Sequence, residues 1–224
     1  MIRSVILVSG GMDSLVTAAI AKKESDEVFF LHLNYGQLTE RKEKECFQKL
    51  VGFYQPKEVM LLDIPQFRSI GSSSLIDMNI PLDTQQTGIK VPNTYVPFRN
   101  GNFLAIAAGW AEVLAAGRIY IGAVEEDSSG YPDCRESFFR AFERSIHLGT
   151  KSETNIRIFT PVIHLKKAEI VKLGKRLAVP FQYSWSCYRD QDLACGTCDS
   201  CILRLKAFRD AGMQDPIPYR QKKP

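Results

Sequence analysis

The sequence predicts an α/β fold, a parallel sheet with helices on both faces, from three observations. Short, largely apolar runs recur at residues 4–8, 28–33, 58–62 and 118–124, the first of them β-branched, the pattern of buried strands. Alanine-rich or amphipathic stretches lie between them, long enough for right-handed crossovers between parallel strands. The first run ends in a glycine turn that opens directly into a helical stretch. The chain has 224 residues, 45% of them hydrophobic and 24% charged, which suits one sizeable soluble core.

In order, the first strand (4–8) leads through Ser9-Gly10-Gly11-Met12 to a helix over 15–23 that Asp13 and Ser14 open. A second strand (28–33), a charged amphipathic helix (39–54) and a third strand (58–62) follow. Residues 65–96 carry serine clusters and several prolines, the mark of a long excursion with little regular structure. A helix over 101–116, a strand over 118–124 and a loop over 125–135 come next, then a helix over 136–147. A short strand at 157–159 and a helix at 167–177 precede a cysteine-rich segment. The basic, proline-rich tail (216–224) reads as an irregular docked or frayed end. We expect residues 1–180 to form the α/β domain and residues 181–224 a small helical metal-binding segment packed on it.

Basic and acidic side chains number 29 and 25, a formal charge of +4. That excess favours anionic ligands slightly and does not mark a nucleic-acid binder. The apolar start runs into Ser9-Gly10-Gly11 with no cleavage pattern behind a long apolar region, and no stretch is long enough to span a bilayer. The expectation is a cytoplasmic protein with no membrane contact.

Ser9-Gly10-Gly11-Met12-Asp13-Ser14 is the strongest signal. Glycines between a strand and a helix N-terminus let the backbone turn tightly and aim N–H groups at an anion. An isolated Ser-Gly-Gly is equally a plain turn with Asp13 or Ser14 as helix cap. Neither a Walker A loop nor a dinucleotide-binding glycine fingerprint occurs in the chain. The full string resembles the PP-loop of the N-type ATP pyrophosphatases, which cut ATP between its α and β phosphates. That likeness implies an adenine nucleotide alpha-hydrolase-like fold and an ATP-binding segment of Val8, Ser9, Gly10, Gly11, Met12, Asp13, Ser14, Leu15, Val16, Thr17 and Ala18. It also implies Mg²⁺ with the ATP, catalytic roles for Ser9, Asp13 and Ser14, and a catalytic role for Lys167 at the start of a late helix. Lys167 otherwise reads as a solvated first-turn lysine.

Cys187, Cys195, Cys198 and Cys201 crowd into one short stretch, while Cys46 and Cys134 stand alone. The two-residue spacings let sulfurs converge on one centre, and the longer loop returns Cys187 to complete a tetrahedron. This suits one structural Zn²⁺ per chain, with an iron–sulfur cluster as the competitor. The histidines are scattered; His32 is the one nearest a strand end.

Three further strings identify the chain as resembling the 7-cyano-7-deazaguanine synthases. Pro97-Phe98-Arg99-Asn100, then Ser129-Gly130-Tyr131-Pro132-Asp133-Cys134-Arg135, then the cysteine cluster, follow the PP-loop in that order. Glycine is expected before the Arg-Asn pair, so Phe98 departs from the pattern. The resemblance implies two adenylations by ATP: 7-carboxy-7-deazaguanine is activated and aminated by ammonia, then the amide is activated and dehydrated to a nitrile. It implies a catalytic Arg99, and substrate contacts from Asn100, Tyr131, Asp133 and Arg135, with Asp133 accepting from guanine-like N–H groups. Without it, Tyr131-Pro132-Asp133 is a tight turn and Arg135 a surface charge at a helix start. A homodimer using small-molecule substrates, free ammonia and no direct nucleic-acid contact completes the expectation. A tRNA-modifying PP-loop enzyme and a non-catalytic metal-stapled nucleotide binder are the competing readings.

Overall fold

The computed structural model describes residues 1–82, 91–125 and 130–220. Five strands, β1 (Arg3–Leu7), β2 (Glu27–Asn34), β3 (Glu58–Asp63), β4 (Arg118–Ile121) and β5 (Arg157–Phe159), form one sheet in the order β3-β2-β1-β4-β5. Every pairing is parallel, with Val5 opposite Phe29 and Ile119 across the two inner interfaces. The seven helices are α1 (Met12–Glu24), α2 (Glu40–Tyr54), α3 (Gln66–Ile70), α4 (Arg99–Val113), α5 (Glu136–Gly149), α6 (Lys167–Arg176) and α7 (Asp199–Asp210).

Period-two alternation in the inner strands sorts the core into two layers. Val5, Leu7, Phe29, Leu31, Ile119 and Ile121 face α4, α5 and the excursion. Ile6, Val8, Val28, Phe30 and Tyr120 face α1, α2, α6 and α7. Both faces are therefore covered, which is why these strands read as continuous apolar runs. α1 is buried along most of its length and has almost no polar face, so its alanines and leucine are core.

The boundaries differ from expectation where backbone geometry decides them. α1 begins at Met12 rather than residue 15, because extended Gly11 serves as its N-cap and Asp13 already lies in the first turn. α4 begins at Arg99 because Phe98 takes the left-handed conformation, φ 53° and ψ 29°. That is a conformation natural to glycine, the residue the family pattern places there. β4 stops at Ile121, and Gly122 to Val124 peel away to line a cleft. Within 65–82 and 91–96 the excursion is irregular apart from the single turn of α3, whose Phe67 is fully buried. It is nonetheless packed, with Leu75, Ile76 and Val96 in the core. Residues 83–90, 126–129 and 221–224, which include Ser129 of the family string and the end of the tail, lie outside the described residues. The tail docks up to Arg220: Ala194 N–H donates to Pro218 O at 2.9 Å, and Arg220 N–H to Ala194 O at 2.8 Å.

Candidate active site

In a parallel sheet every crossover helix starts at the edge where the strands end. The N-termini of α1, α2, α4 and α6 therefore collect there, each carrying partial positive charge. The chain leaves β1 toward β2 and β3 on one side, then returns to build β4 and β5 on the other. At that switch point the loops after β1 and β4 part and leave a crevice. A cavity of about 340 Å³ occupies it, lined by Ser9, Gly11 to Ser14, Arg99, Asn100, Tyr131, Lys167 and residues of the cysteine segment.

The loop after β1 is shaped by local hydrogen bonds. Ser14 Oγ accepts from Ser9 N–H at 3.2 Å and from Ser9 Oγ–H at 3.0 Å, and itself donates to Gly11 O at 3.0 Å. Gly10 has φ +83°, and a Cβ there would meet Glu43 O at 2.9 Å. No side chain caps α1, so its first N–H groups stay available to an anion. From the other side, Gly122 comes so close that a Cβ would stand 2.7 Å from the backbone of Asp13 and Ser14. Nothing in the sequence marks Gly122, because its requirement is a contact between the end of β4 and the first turn of α1, far apart in the chain.

Lys167 Nζ donates to Asp13 Oδ2 at 2.5 Å. Asp13 Oδ1 is buried and has no hydrogen-bond partner, an acceptor left over for a cation. Val8 also lines the cavity, but Val16, Thr17 and Ala18, like Leu15, are buried in the layer beneath the sheet and do not line it. Of the expected ATP segment, Val8, Ser9 and Gly11 to Ser14 line the cavity. His32 braces the loop from behind, its Nδ1 2.7 Å from Val8 O, its Nε2 3.0 Å from Asn34 Oδ1, and its ring stacked on Phe47. Burial lowers its pKa.

Arg99 opens α4 across the cleft. Its Nη1 donates to the Tyr35 hydroxyl at 3.0 Å, its guanidinium lies over the Tyr35 and Phe103 rings, and its Nε has no partner. Burial and the Arg99 charge act in opposite senses on the Tyr35 phenol, and burial wins, raising it to about 12. Tyr131 lines the cavity with its hydroxyl 2.7 Å from Thr94 Oγ1.

Two of the expected substrate contacts, Asp133 and Arg135, are not among the residues that line the cavity. Asp133 does not line the cavity: its Oδ2 accepts Asn100 N–H at 2.8 Å, and its carbonyl accepts Asn100 Nδ2–H at 2.9 Å. One carboxylate oxygen thus braces the start of α4, and burial raises the Asp133 pKa. Arg135 is exposed at the N-cap of α5 and also off the cavity, as a helix-start surface charge would be.

A carboxylate that sequence reasoning missed does line the cavity. Glu43, in the first turn of α2, accepts from Thr39 Oγ1–H at 2.6 Å and from Gln37 Nε2–H at 3.0 Å. Tyr35 N–H donates to Gln37 Oε1 at 2.9 Å, which fixes the amide's direction. Burial outweighs these hydrogen bonds and the Arg99 charge, leaving the Glu43 carboxyl above its usual range. The only sequence signal was Thr39 and Glu43 four apart just past a strand end.

The four sulfurs of Cys187, Cys195, Cys198 and Cys201 lie within 4.8 Å of one another, a site able to hold a metal ion. Tetrahedral ligation at about 2.3 Å would space them about 3.8 Å apart, close to the 3.9 Å between Cys195 and Cys201. Backbone N–H groups of Arg189, Asp190 and Cys195 point at Cys187 Sγ, and those of Thr197 and Cys198 at Cys195 Sγ. Such donors favour thiolates. Hydrogen bonds from Cys198 and Cys201 draw Cys187 well below the thiol range, while Cys187 in turn pushes Cys198 up to about 11. Holding all four sulfurs as thiolates this close together would require a cation among them. The segment also reaches the phosphate loop: Trp185 N–H donates to Gly10 O at 2.9 Å, and Tyr188, Asp199 and Ser200 line the same cavity.

A family model described as "Queuosine biosynthesis protein QueC" matches residues 3–212. A 7-cyano-7-deazaguanine synthase from Chloroherpeton thalassium is 53% identical over 219 residues, 97% of each chain. One from Nitratiruptor sp. is 54% identical over 218 residues, 97% of this chain and 99% of the relative. Among solved structures, a 4-thiouridine synthetase in complex with RNA and bound ATP aligns with TM-score 0.54 at 16% identity, over 94% of this chain and 50% of that one. NMN synthetase from Francisella tularensis aligns with TM-score 0.50 at 16% identity, over 94% of this chain and 77% of that one. These two likenesses concern the fold.

Proposed function

The chain belongs to the QueC family of queuosine biosynthesis proteins, and from that premise we propose that it converts 7-carboxy-7-deazaguanine, ammonia and ATP into 7-cyano-7-deazaguanine. The observation that carries the reading is the meeting, in one cavity, of the glycine loop, the Asp13–Lys167 pair and the Arg99–Asn100–Tyr131 wall.

A carboxylate resists amination until one oxygen becomes a good leaving group, and adenylation supplies that leaving group. The N–H groups at the start of α1, with Ser9 and Ser14, hold the phosphates; Lys167 and Arg99 offset the charge that builds on them in the transition state. Asp13 Oδ1 is the protein oxygen suited to a Mg²⁺ brought with ATP, which would neutralise phosphate charge. Asn100 and Tyr131 are the proposed substrate contacts, and Asp133 positions Asn100. The same groups serve the second adenylation, on the amide oxygen.

The metal of the cysteine site is proposed to be a single structural Zn²⁺, which four sulfurs with no open position suit. It would fix residues 181–224 as a segment packed on a catalytic domain formed by residues 1–180. We further propose a cytoplasmic homodimer that takes free ammonia and makes no direct nucleic-acid contact.

The test is turnover of purified, metal-loaded protein with 7-carboxy-7-deazaguanine, ammonium and Mg·ATP, with products read by mass spectrometry. Nitrile, AMP and pyrophosphate together are the expected result. Folded protein that yields neither amide, nitrile nor AMP would refute the assignment.

A further inference from the structure

Resting on that reading, the proton inventory of the reaction requires a base. In amide formation the ammonia nitrogen forms a bond to the acyl carbon, the carbon–oxygen bond to AMP breaks with its electron pair leaving on AMP, and one N–H proton is released. In dehydration the amide oxygen displaces pyrophosphate from the second ATP. The two remaining N–H electron pairs then become carbon–nitrogen bonding pairs as AMP departs, and two protons are released. All three N–H bonds of ammonia break over the cycle.

Few groups lining the cavity can take those protons. No histidine lines it among the described residues. Lys167 is ion-paired to Asp13, whose other oxygen is the one proposed above for Mg²⁺. Burial raises the Tyr35 phenol to about 12 and the Cys134 thiol to about 11, so both stay protonated. Asp199 belongs to the metal segment, next to Cys198. Glu43 is different. Its backbone packs against Gly10 of the phosphate loop, and its side chain lines the same cavity as Ser9, Asp13, Arg99 and Asn100. Gln37 and Thr39 each occupy one of its oxygens and fix its direction, while each oxygen keeps a lone pair for the ligand.

We propose that Glu43 is the catalytic base that accepts the nitrogen-bound protons in amide formation and dehydration. The charged and titratable groups facing it are Arg99 from α4, Tyr35 at the end of β2, and Glu40 on its own helix. Burial raises its carboxyl against the hydrogen bonds from Thr39 and Gln37 and the Arg99 charge, and a raised carboxyl is the stronger proton acceptor.

Glu43→Gln keeps the side chain's size and removes its basicity. The expected result is a fall in kcat for nitrile formation of about 10²–10⁴-fold. Pyrophosphate–ATP exchange driven by the deazaguanine carboxylate alone should fall by no more than about threefold, because activation consumes no N–H proton. The acid limb of the parent's kcat–pH profile should flatten in the variant. Formate added to Glu43→Ala should restore nitrile formation by at least about tenfold. Exchange and nitrile formation falling together would overturn the proposal by making Glu43 structural. A raised KM with unchanged kcat would overturn it by making Glu43 a recognition residue, and so would failure of formate rescue. A parent enzyme that makes no nitrile at all would instead remove the functional assignment, before Glu43 is in question.

Discussion

Arg204→Met removes one half of a buried ion pair. The Arg204 and Asp215 side chains are 1% and 3% exposed, and the guanidinium grips the carboxylate through two hydrogen bonds of 2.7 and 3.0 Å. Its remaining donors reach Ser184 Oγ, Ser186 Oγ and Phe181 O, so one side chain of α7 ties together the approach to the metal loop and the tail. Breaking such a pair one-sidedly costs about 3–5 kcal/mol, chiefly because the partner stays buried and charged. Asp215 would still accept from the Tyr219 hydroxyl at 2.6 Å and from Ile217 N–H at 3.3 Å, which places the expected loss near 3 kcal/mol. Against a whole-protein stability of about 5–15 kcal/mol that is a large fraction. Urea denaturation in excess metal should show a lower midpoint at unchanged slope. Arg204→Met/Asp215→Leu should recover most of the loss, because no charge is then left behind. A single-variant loss below about 1 kcal/mol, or a double variant no better than the single, would refute the argument that desolvation governs this pair.

Gly122→Ala should lower adenylation by about 10²-fold or more, since a Cβ there forces the phosphate loop to move and small displacements cost heavily; pyrophosphate exchange measures it, and an effect below threefold would contradict the contact. Cys201→Ser should lose the metal, read by elemental analysis as a fall from one ion per chain, and should lower the melting temperature because metal binding contributes folding energy; a brown parent protein would favour an iron–sulfur cluster over zinc. Glu43 and Asp133 are held above their usual carboxylate values by burial, so in each case the folded state disfavours the charged form. Their contribution is fully present below the unfolded value, 4.5 for Glu43 and 3.8 for Asp133, and is lost as pH rises through the folded value. Glu43→Gln should therefore gain stability relative to the parent as pH is raised from 4 to 7; an unchanged or opposite difference in denaturation midpoints would show that its carboxylate is better satisfied than the geometry indicates.

The inner strands were legible because both sheet faces are covered there, which writes them as largely apolar runs. The phosphate loop was legible for a related reason: tight turning beside a helix start admits almost nothing but glycine and small hydroxyl residues. Phe98 shows where a pattern records geometry more reliably than residue identity. The expected glycine is absent, yet the left-handed backbone it would serve is present. Gly122 and Glu43 were illegible for the opposite reason. Each matters through an approach between segments distant in the chain, Gly122 to Asp13 and Glu43 to Gly10, and no local spacing encodes such a contact. The contact of Asp133 with the start of α4 was equally illegible, because its hydrogen bond to Asn100 joins segments 33 residues apart.

The metal segment and the phosphate loop are also coupled in a way that neither motif announces. Gly10 O, in the loop, accepts the N–H of Trp185, two residues before Cys187. The Trp185 ring carries Lys42 of α2 over one face at 4.9 Å, and its Nε1–H is held by Asp190 O at 3.0 Å. α2 in turn delivers Glu43 to the cavity and Cys46 to the apolar cluster around the cysteine site. A metal that orders Cys187 to Cys201 therefore fixes Trp185, and through it one carbonyl of the anion-binding loop and one flank of α2. A structural ion so placed would act on catalysis by preorganisation, since N–H groups proposed to receive pyrophosphate charge would be useful only if they need not reorganise when that charge develops.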